Sequence, residues 1–144
     1  MSQKDPSEDM AKLLTEIRML DGAAKEMEAK INMMDAALND MSTSFMTLQN
    51  IKDKKGAEVL VPVGAGVYLK ATIEDSEKVI MGIGADVAVE KNVDESVEGL
   101  RTRATELSSQ RKMTEEQLAR ILARIEELKE QFSELSRSMK EQEH

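Results

Sequence analysis

Few residues in this 144-residue chain have the types and spacing that covalent chemistry needs. Two glycine pairs, Gly64-Ala-Gly66 and Gly82-Ile-Gly84, are spaced like loops that cradle a phosphate. Neither begins G-x-x-x-x-G-K-S/T, and neither runs as G-x-G-x-x-G straight into a helix, so both read as hairpin turns and bulges. His144 is the one histidine, and at the last position nothing holds it as a base or a ligand. Acidic pairs such as Glu115-Glu116 and Glu126-Glu127 belong to a solvated helical face. Cysteine is absent, which excludes disulfides and thiolate chemistry. No nucleophile, base and orienting group come together. The expectation is no enzyme, no cofactor and no metal.

The apolar residues are arranged for packing instead. Met10, Leu13, Ile17, Leu20, Ala24, Met27, Ile31, Met34, Leu38, Met41, Phe45 and Leu48 alternate by threes and fours, which is the seam of a coiled coil. Asp5-Pro6-Ser7-Glu8 supplies the start, with Asp5 as cap and Pro6 in the first helical position. Lys52, Lys54 and Lys55 suit a helix end, and Gly56 can stop it. A second cap at Asn92 opens the same pattern. Val93, Val97, Leu100, Ala104, Leu107, Arg111, Thr114, Leu118, Ile121, Ile125, Leu128, Phe132, Leu135 and Met139 follow, with only Arg111 and Thr114 polar. Arg111 reads as methylenes laid along the seam with the head sent to solvent or a carboxylate; the alternative is a polar layer that sets register. Each helix has roughly 50 residues and a length on the order of 75 Å. The lengths match, so a chain folded back on itself pairs them antiparallel, near 10↔135, 24↔121 and 45↔100.

Between the helices the period changes. Val59, Val61 and Val63 alternate with Leu60 and Pro62, while Val67, Leu69, Ala71 and Ile73 alternate with Tyr68, Lys70 and Thr72. Val79, Met81 and Ile83, then Val87 and Val89, repeat the pattern. These are four short strands in two hairpins. The fold class is mainly α with a small β module, one domain over 1–144: a helix at about 6–55, hairpins at about 57–91 and a helix at about 93–141. Four short strands with open edges need cover from other subunits. The expected oligomer interface is Val67, Leu69, Ala71, Ile73, Val79, Met81, Ile83, Val87 and Val89.

Composition limits the partners. Net charge is −8, which argues against nucleic acid, because phosphate binding rests on clustered Lys and Arg. Aromatic residues are only Phe45, Tyr68 and Phe132, too few for a large globular core. No apolar run is long enough to span a membrane, and Met1-Ser-Gln-Lys-Asp has no signal-peptide core. A cytoplasmic location is expected. Met10, Met27, Met34, Met41 and Met139 lie in the seam as ordinary packing, but the seam ends differ from its middle. Met10, Leu13, Leu14, Ile17, Phe132, Leu135 and Met139 converge at the helix tips, where two helix ends hide apolar side chains poorly and Met adapts to many partners. Residue types alone leave core packing and binding both open there.

The strings Val59-Leu-Val-Pro-Val-Gly-Ala-Gly-Val-Tyr68 and Val79-Ile-Met-Gly-Ile-Gly-Ala-Asp-Val-Ala-Val-Glu-Lys91, set between two long helices, resemble the α class of the archaeal prefoldins. The resemblance covers about residues 8–140, and two hairpins rather than one mark the α class against the β class. It implies a hexamer of two α and four β subunits, with hairpins joined in a double β-barrel platform from which six coiled coils hang. It also implies an ATP-independent holdase chaperone that keeps unfolded clients at the tips and delivers them to a group II chaperonin. The distal apolar residues of the family match Met10, Leu13, Leu14, Ile17, Phe132, Leu135 and Met139 by location. The competing reading is a structural coiled-coil adaptor that oligomerises and binds a folded partner. An adaptor needs only the coil, whereas the strand module calls for a multi-subunit platform.

Overall fold

The computed structural model describes residues 5–142 and contains, in order, α1 (Pro6–Ile51), β1 (Glu58–Gly64), β2 (Val67–Thr72), β3 (Lys78–Gly84), β4 (Val87–Asn92) and α2 (Val93–Gln142). Both helices begin as their caps dictate. Asp5 Oδ1 accepts a hydrogen bond from the Ser7 N–H at 3.0 Å, and Asn92 Oδ1 accepts one from the Asp94 N–H at 2.9 Å. Every seam position named above is buried or half-buried, but only Ala24, Val93, Val97, Ile125 and Leu128 are fully buried, the last at 1 % exposure, so the core is a narrow seam.

α1 stops at Ile51, short of the expected 55, and none of the three lysines lies in its last turn. The reason is local and tertiary together. Asp53 enters the left-handed region at φ 60°, which breaks the helical ladder. Gly56, at φ 87°, is drawn into the sheet, its N–H donating to the Ile73 carbonyl at 2.7 Å while the Ile73 N–H donates to Ala57 at 2.9 Å. Lys52 reaches Asp94 in the first turn of α2 at 2.7 Å.

The chain divides into two compact units, Ala36–Ser108 and the two helical segments outside it. In the helix-end unit the antiparallel pairing is marked by ion pairs, Arg111 with Asp35 and Arg124 with Glu16 at 3.5 Å. In the hairpin unit Arg101 stacks its guanidinium 5.4 Å from the centre of the Phe45 ring. These partners lie within about a residue of the expected 45↔100 register except Glu16, whose Arg124 reaches further along the helix.

The two hairpins are copies of one another. β1 pairs antiparallel with β2 from Glu58↔Thr72 to Pro62↔Tyr68, and β3 pairs with β4 from Lys78↔Asn92 to Gly82↔Ala88. Each ladder shifts register at the same place, before Gly64 and before Gly84, as a β-bulge does. Each turn places its two central residues at positive φ (Ala65 and Gly66, Ala85 and Asp86), the condition for the tight hairpin turn that matches strand twist. Gly64 and Gly84 sit at φ 115° and 109°, a region closed to other residues without strain, which is the work the paired glycines do. The strands form two separate two-stranded sheets, so among the described residues one chain closes no barrel.

Candidate functional site

The helix tips gather the seven residues singled out from the sequence, but not equally. Met10, Leu13, Ile17, Phe132, Leu135 and Met139 are half-buried, each turned toward the opposite helix by its seam position. Leu14, one step outside the seam, is 39 % exposed. Leu13 and Leu135 line an open groove of about 510 Å³ together with the charged side chains of Asp9, Lys12, Glu16 and Glu134. A second, smaller depression beside Phe132 is flanked by Arg137 and Lys140. The tip therefore offers shallow apolar strips between charged rims, with no enclosed cavity. His144 lies outside the described residues.

Arg111 behaves as its seam position suggests. It is partly covered, it donates to the Asp35 carboxylate across the pair, and it donates to Glu115 Oε2 at 3.1 Å one turn along its own helix. The hydrogen bond to Asp35 raises its pKa further above an already high value, so it is charged at every pH the fold survives. Thr114 turns its hydroxyl back to the Gln110 carbonyl at 2.9 Å, satisfying itself within the helix.

The hairpins expose more apolar surface than the tips. Of the nine residues expected at the interface, Val67, Leu69, Ile83 and Val87 are exposed, whereas Ala71, Ile73, Val79, Met81 and Val89 are half-buried. Reading the sequence alone left out Leu60, Val61, Val63, Tyr68 and Ile80, all exposed, with Ile80 at 79 %. Leu60, Tyr68 and Ile80 stand on the face opposite the alternating valines, and the signal was present: a strand apolar on both faces is made to be covered on both. Met19 and Met33, 71 % and 73 % exposed on the outside of α1, were also missed. They fall outside the seam, where a heptad count discards them.

Among the described residues no three His, Cys, Asp or Glu side chains are grouped to hold a metal ion, and no helix is long and apolar enough to cross a membrane. The hairpins and helices find their counterpart among known proteins. A family model described as a prefoldin subunit matches residues 20–138. The chain belongs to the prefoldin family. It is 37 % identical over 120 residues to the prefoldin subunit alpha of Thermofilum pendens, covering 81 % of this chain and 92 % of that protein. It is 30 % identical over 131 residues to the prefoldin subunit alpha of Pyrococcus horikoshii, covering 90 % of this chain and 88 % of that one. Among solved structures it is similar to the filamentous prefoldin of Methanocaldococcus jannaschii seen by electron cryo-microscopy, with a TM-score of 0.70, 26 % identity, and coverage of 79 % of this chain and 95 % of that one. Within this prefoldin the family match spans both hairpins but starts at residue 20, after Met10, Leu13, Leu14 and Ile17.

Proposed function

We propose that this prefoldin subunit is an α-class component of an ATP-independent holdase, assembled through its hairpins with β-class prefoldin subunits, two α with four β, in the cytoplasm. The whole chain acts as one domain: the hairpins join a β-barrel platform, and the helix ends hold unfolded polypeptides and deliver them to a group II chaperonin. The observation that carries the reading is the open groove at the tips, lined by Leu13 and Leu135, together with Leu14 exposed on the opposite flank of the same helix. An unfolded client presents scattered apolar segments, so its binder needs shallow, adaptable strips rather than one shaped pocket. Each strip binds weakly, and several strips around one cavity bind together with high effective concentration. Weak single contacts also permit release. The net charge of −8 keeps molecules with such exposed tips apart in solution.

The test is a truncation. Removing residues 1–17 together with 129–144 deletes all seven tip residues and leaves both hairpins whole. The truncated chain is expected to assemble with its partners at the full native mass and to lose most of its suppression of client aggregation without nucleotide. Full protection by the truncated chain would move the binding surface away from the tips.

A further inference from the structure

The groove between the helix ends carries carboxylates that the coil leaves unmatched. Asp9 and Glu16 each stand one residue before a seam position of α1, and Arg124 and Gln131 do the same on α2. An antiparallel coil sets these flanking positions across from one another, where opposite charges ordinarily pair. Glu16 meets Arg124 in this way, at 3.5 Å. Seven residues nearer the tip on each helix, the same places are taken by Asp9 and Gln131, and both line the groove. Glutamine brings no charge. We propose that this groove selects client segments in which Lys or Arg stands close to an apolar residue; the inference rests on the proposed holding of clients at the helix ends.

The charges around the groove favour such a segment. Glu134 lines it from α2, and among the described residues neither Glu134 nor Asp9 forms an ion pair. Asp9 is half-buried, so solvent ions screen its charge less than that of a free surface carboxylate. Lys12 is the one cation lining the groove, against Asp9, Glu16 and Glu134. An apolar client side chain seated on Leu13 and Leu135 therefore brings its neighbours beside uncompensated negative charge. A neighbouring Lys or Arg lays its methylenes on the apolar strip and sends its head to the carboxylates. Asp or Glu in that place is repelled.

The opposite sign occurs a little further around α2. Ser133, Ser136, Arg137 and Lys140, spaced as one helical row, border the depression at Phe132 with no carboxylate among them. Gln131, Glu134 and Ser138 form the separate row that lines the groove. The tip thus carries two strips of unlike charge, and the acidic one is the larger, about 510 Å³ against 360 Å³. A second copy of this chain is a poor occupant of the groove, because it brings its own Asp9 and Glu134 and a net charge of −8. A cationic client is attracted by the groove and by the subunit as a whole, which steers its approach.

The test uses the subunit assembled with its β-class partners and three synthetic peptides that share one apolar centre, flanked by two Lys, two Gln or two Glu. A photo-reactive amino acid replaces Ser138, in the groove, or Ser133, beside Phe132, in this chain only. At position 138 the Lys-flanked peptide is expected to be captured roughly tenfold more than the Gln-flanked one, at about threefold per charge, with the excess fading in high salt. The Glu-flanked peptide is expected to favour position 133. Asp9→Gln with Glu134→Gln is expected to bring Lys-flanked capture at 138 down to the Gln-flanked level. Equal capture of the three peptides at 138, or an excess that survives the double substitution, overturns the charge selection while leaving client holding at the tips intact. Capture of a second copy of the chain in place of peptide overturns it too, making the groove a contact between subunits. No capture of any peptide at either position overturns the reading of the tips itself.

Discussion

The helix-end unit and the hairpin unit both present apolar side chains, and they specify them to opposite degrees. At the tips the apolar residues sit in a two-helix seam, positioned by side-chain packing and ion pairs such as Arg124–Glu16 rather than by a shared backbone ladder. In the hairpins the backbone dictates position: two ladders with the same register, the same bulge and the same positive-φ turn. A surface that must accept many sequences gains from the first arrangement, because Met, Leu and Ile in a shallow strip adapt. A surface that must accept one partner gains from the second, because a shift of one residue turns every side chain to the wrong face. On the proposed function, the same property, exposed hydrophobicity, would serve breadth in the helix-end unit and specificity in the hairpin unit.

The largest effect that would break this comparison is on assembly. Replacing Leu69 and Ile80 by Lys is expected to release the subunit from its complex while circular dichroism keeps its helical signal, since each buried apolar side chain contributes about 1.5–3 kcal/mol. Both residues are exposed within the chain, so the change tests contacts between subunits and not the fold. Substituting Val79 and Met81 is less clean, because those two are already half-covered within their own chain. A complex of unchanged mass after the Leu69 and Ile80 substitutions would remove the hairpins from the interface.

A smaller effect sharpens the claim that the hairpins are specified by backbone. Gly64→Val, at φ 115° with open space around its Cβ position, is expected to cost about 1–3 kcal/mol through strain alone, read as a lower melting temperature of the assembled complex. Gly22, with nothing within 4 Å of its Cβ position and an ordinary helical φ, is the control: Gly22→Ala is expected to stabilise by about 0.5–1 kcal/mol. In the coil, Arg111→Leu is expected to raise the melting temperature slightly, because it fills an apolar seam position, and to loosen the choice of register that the Asp35 pair gives. Hydrogen exchange across residues 31–38 would show the looser register.

The smallest expected effect concerns the turn between the hairpins. Asp75 Oδ1 accepts the Glu77 N–H at 2.8 Å and the Lys78 N–H at 3.3 Å, and the Glu77 bond chiefly holds its pKa below the usual carboxylate value. A carboxylate with a depressed folded pKa stabilises at pH above its unfolded value and loses that contribution as pH falls through the folded one. Asp75→Ala is therefore expected to lower stability slightly at neutral pH, and the difference from wild type should vanish in acid. A gap that persists in acid would assign the loss to the turn geometry and not to the charge.

Legibility in the sequence followed the same division. The seam could be read residue by residue because an unbroken heptad places each side chain by counting. The glycine pairs were legible for the same reason that they are strained elsewhere: only turns and bulges need them. The end of α1 was not legible, because it is decided by Asp53 turning left-handed and by Gly56 bonding to Ile73, seventeen residues away in sequence. The exposure of Leu60, Tyr68 and Ile80 is not legible from alternation, which assigns a strand one apolar face, whereas these strands carry two. How far each tip residue is covered depends on the facing helix, so the sequence named the place without ranking Leu14 above Leu13.

The division of labour between the two regions is tested most directly by mapping what each touches. A photo-reactive amino acid is placed at Leu14 in one variant and at Leu69 in another, and each is assembled with its partner subunits and mixed with an unfolded client. Illumination is expected to join the client to position 14 and another prefoldin subunit to position 69. Client captured at position 69, with only subunits captured at 14, would contradict the account.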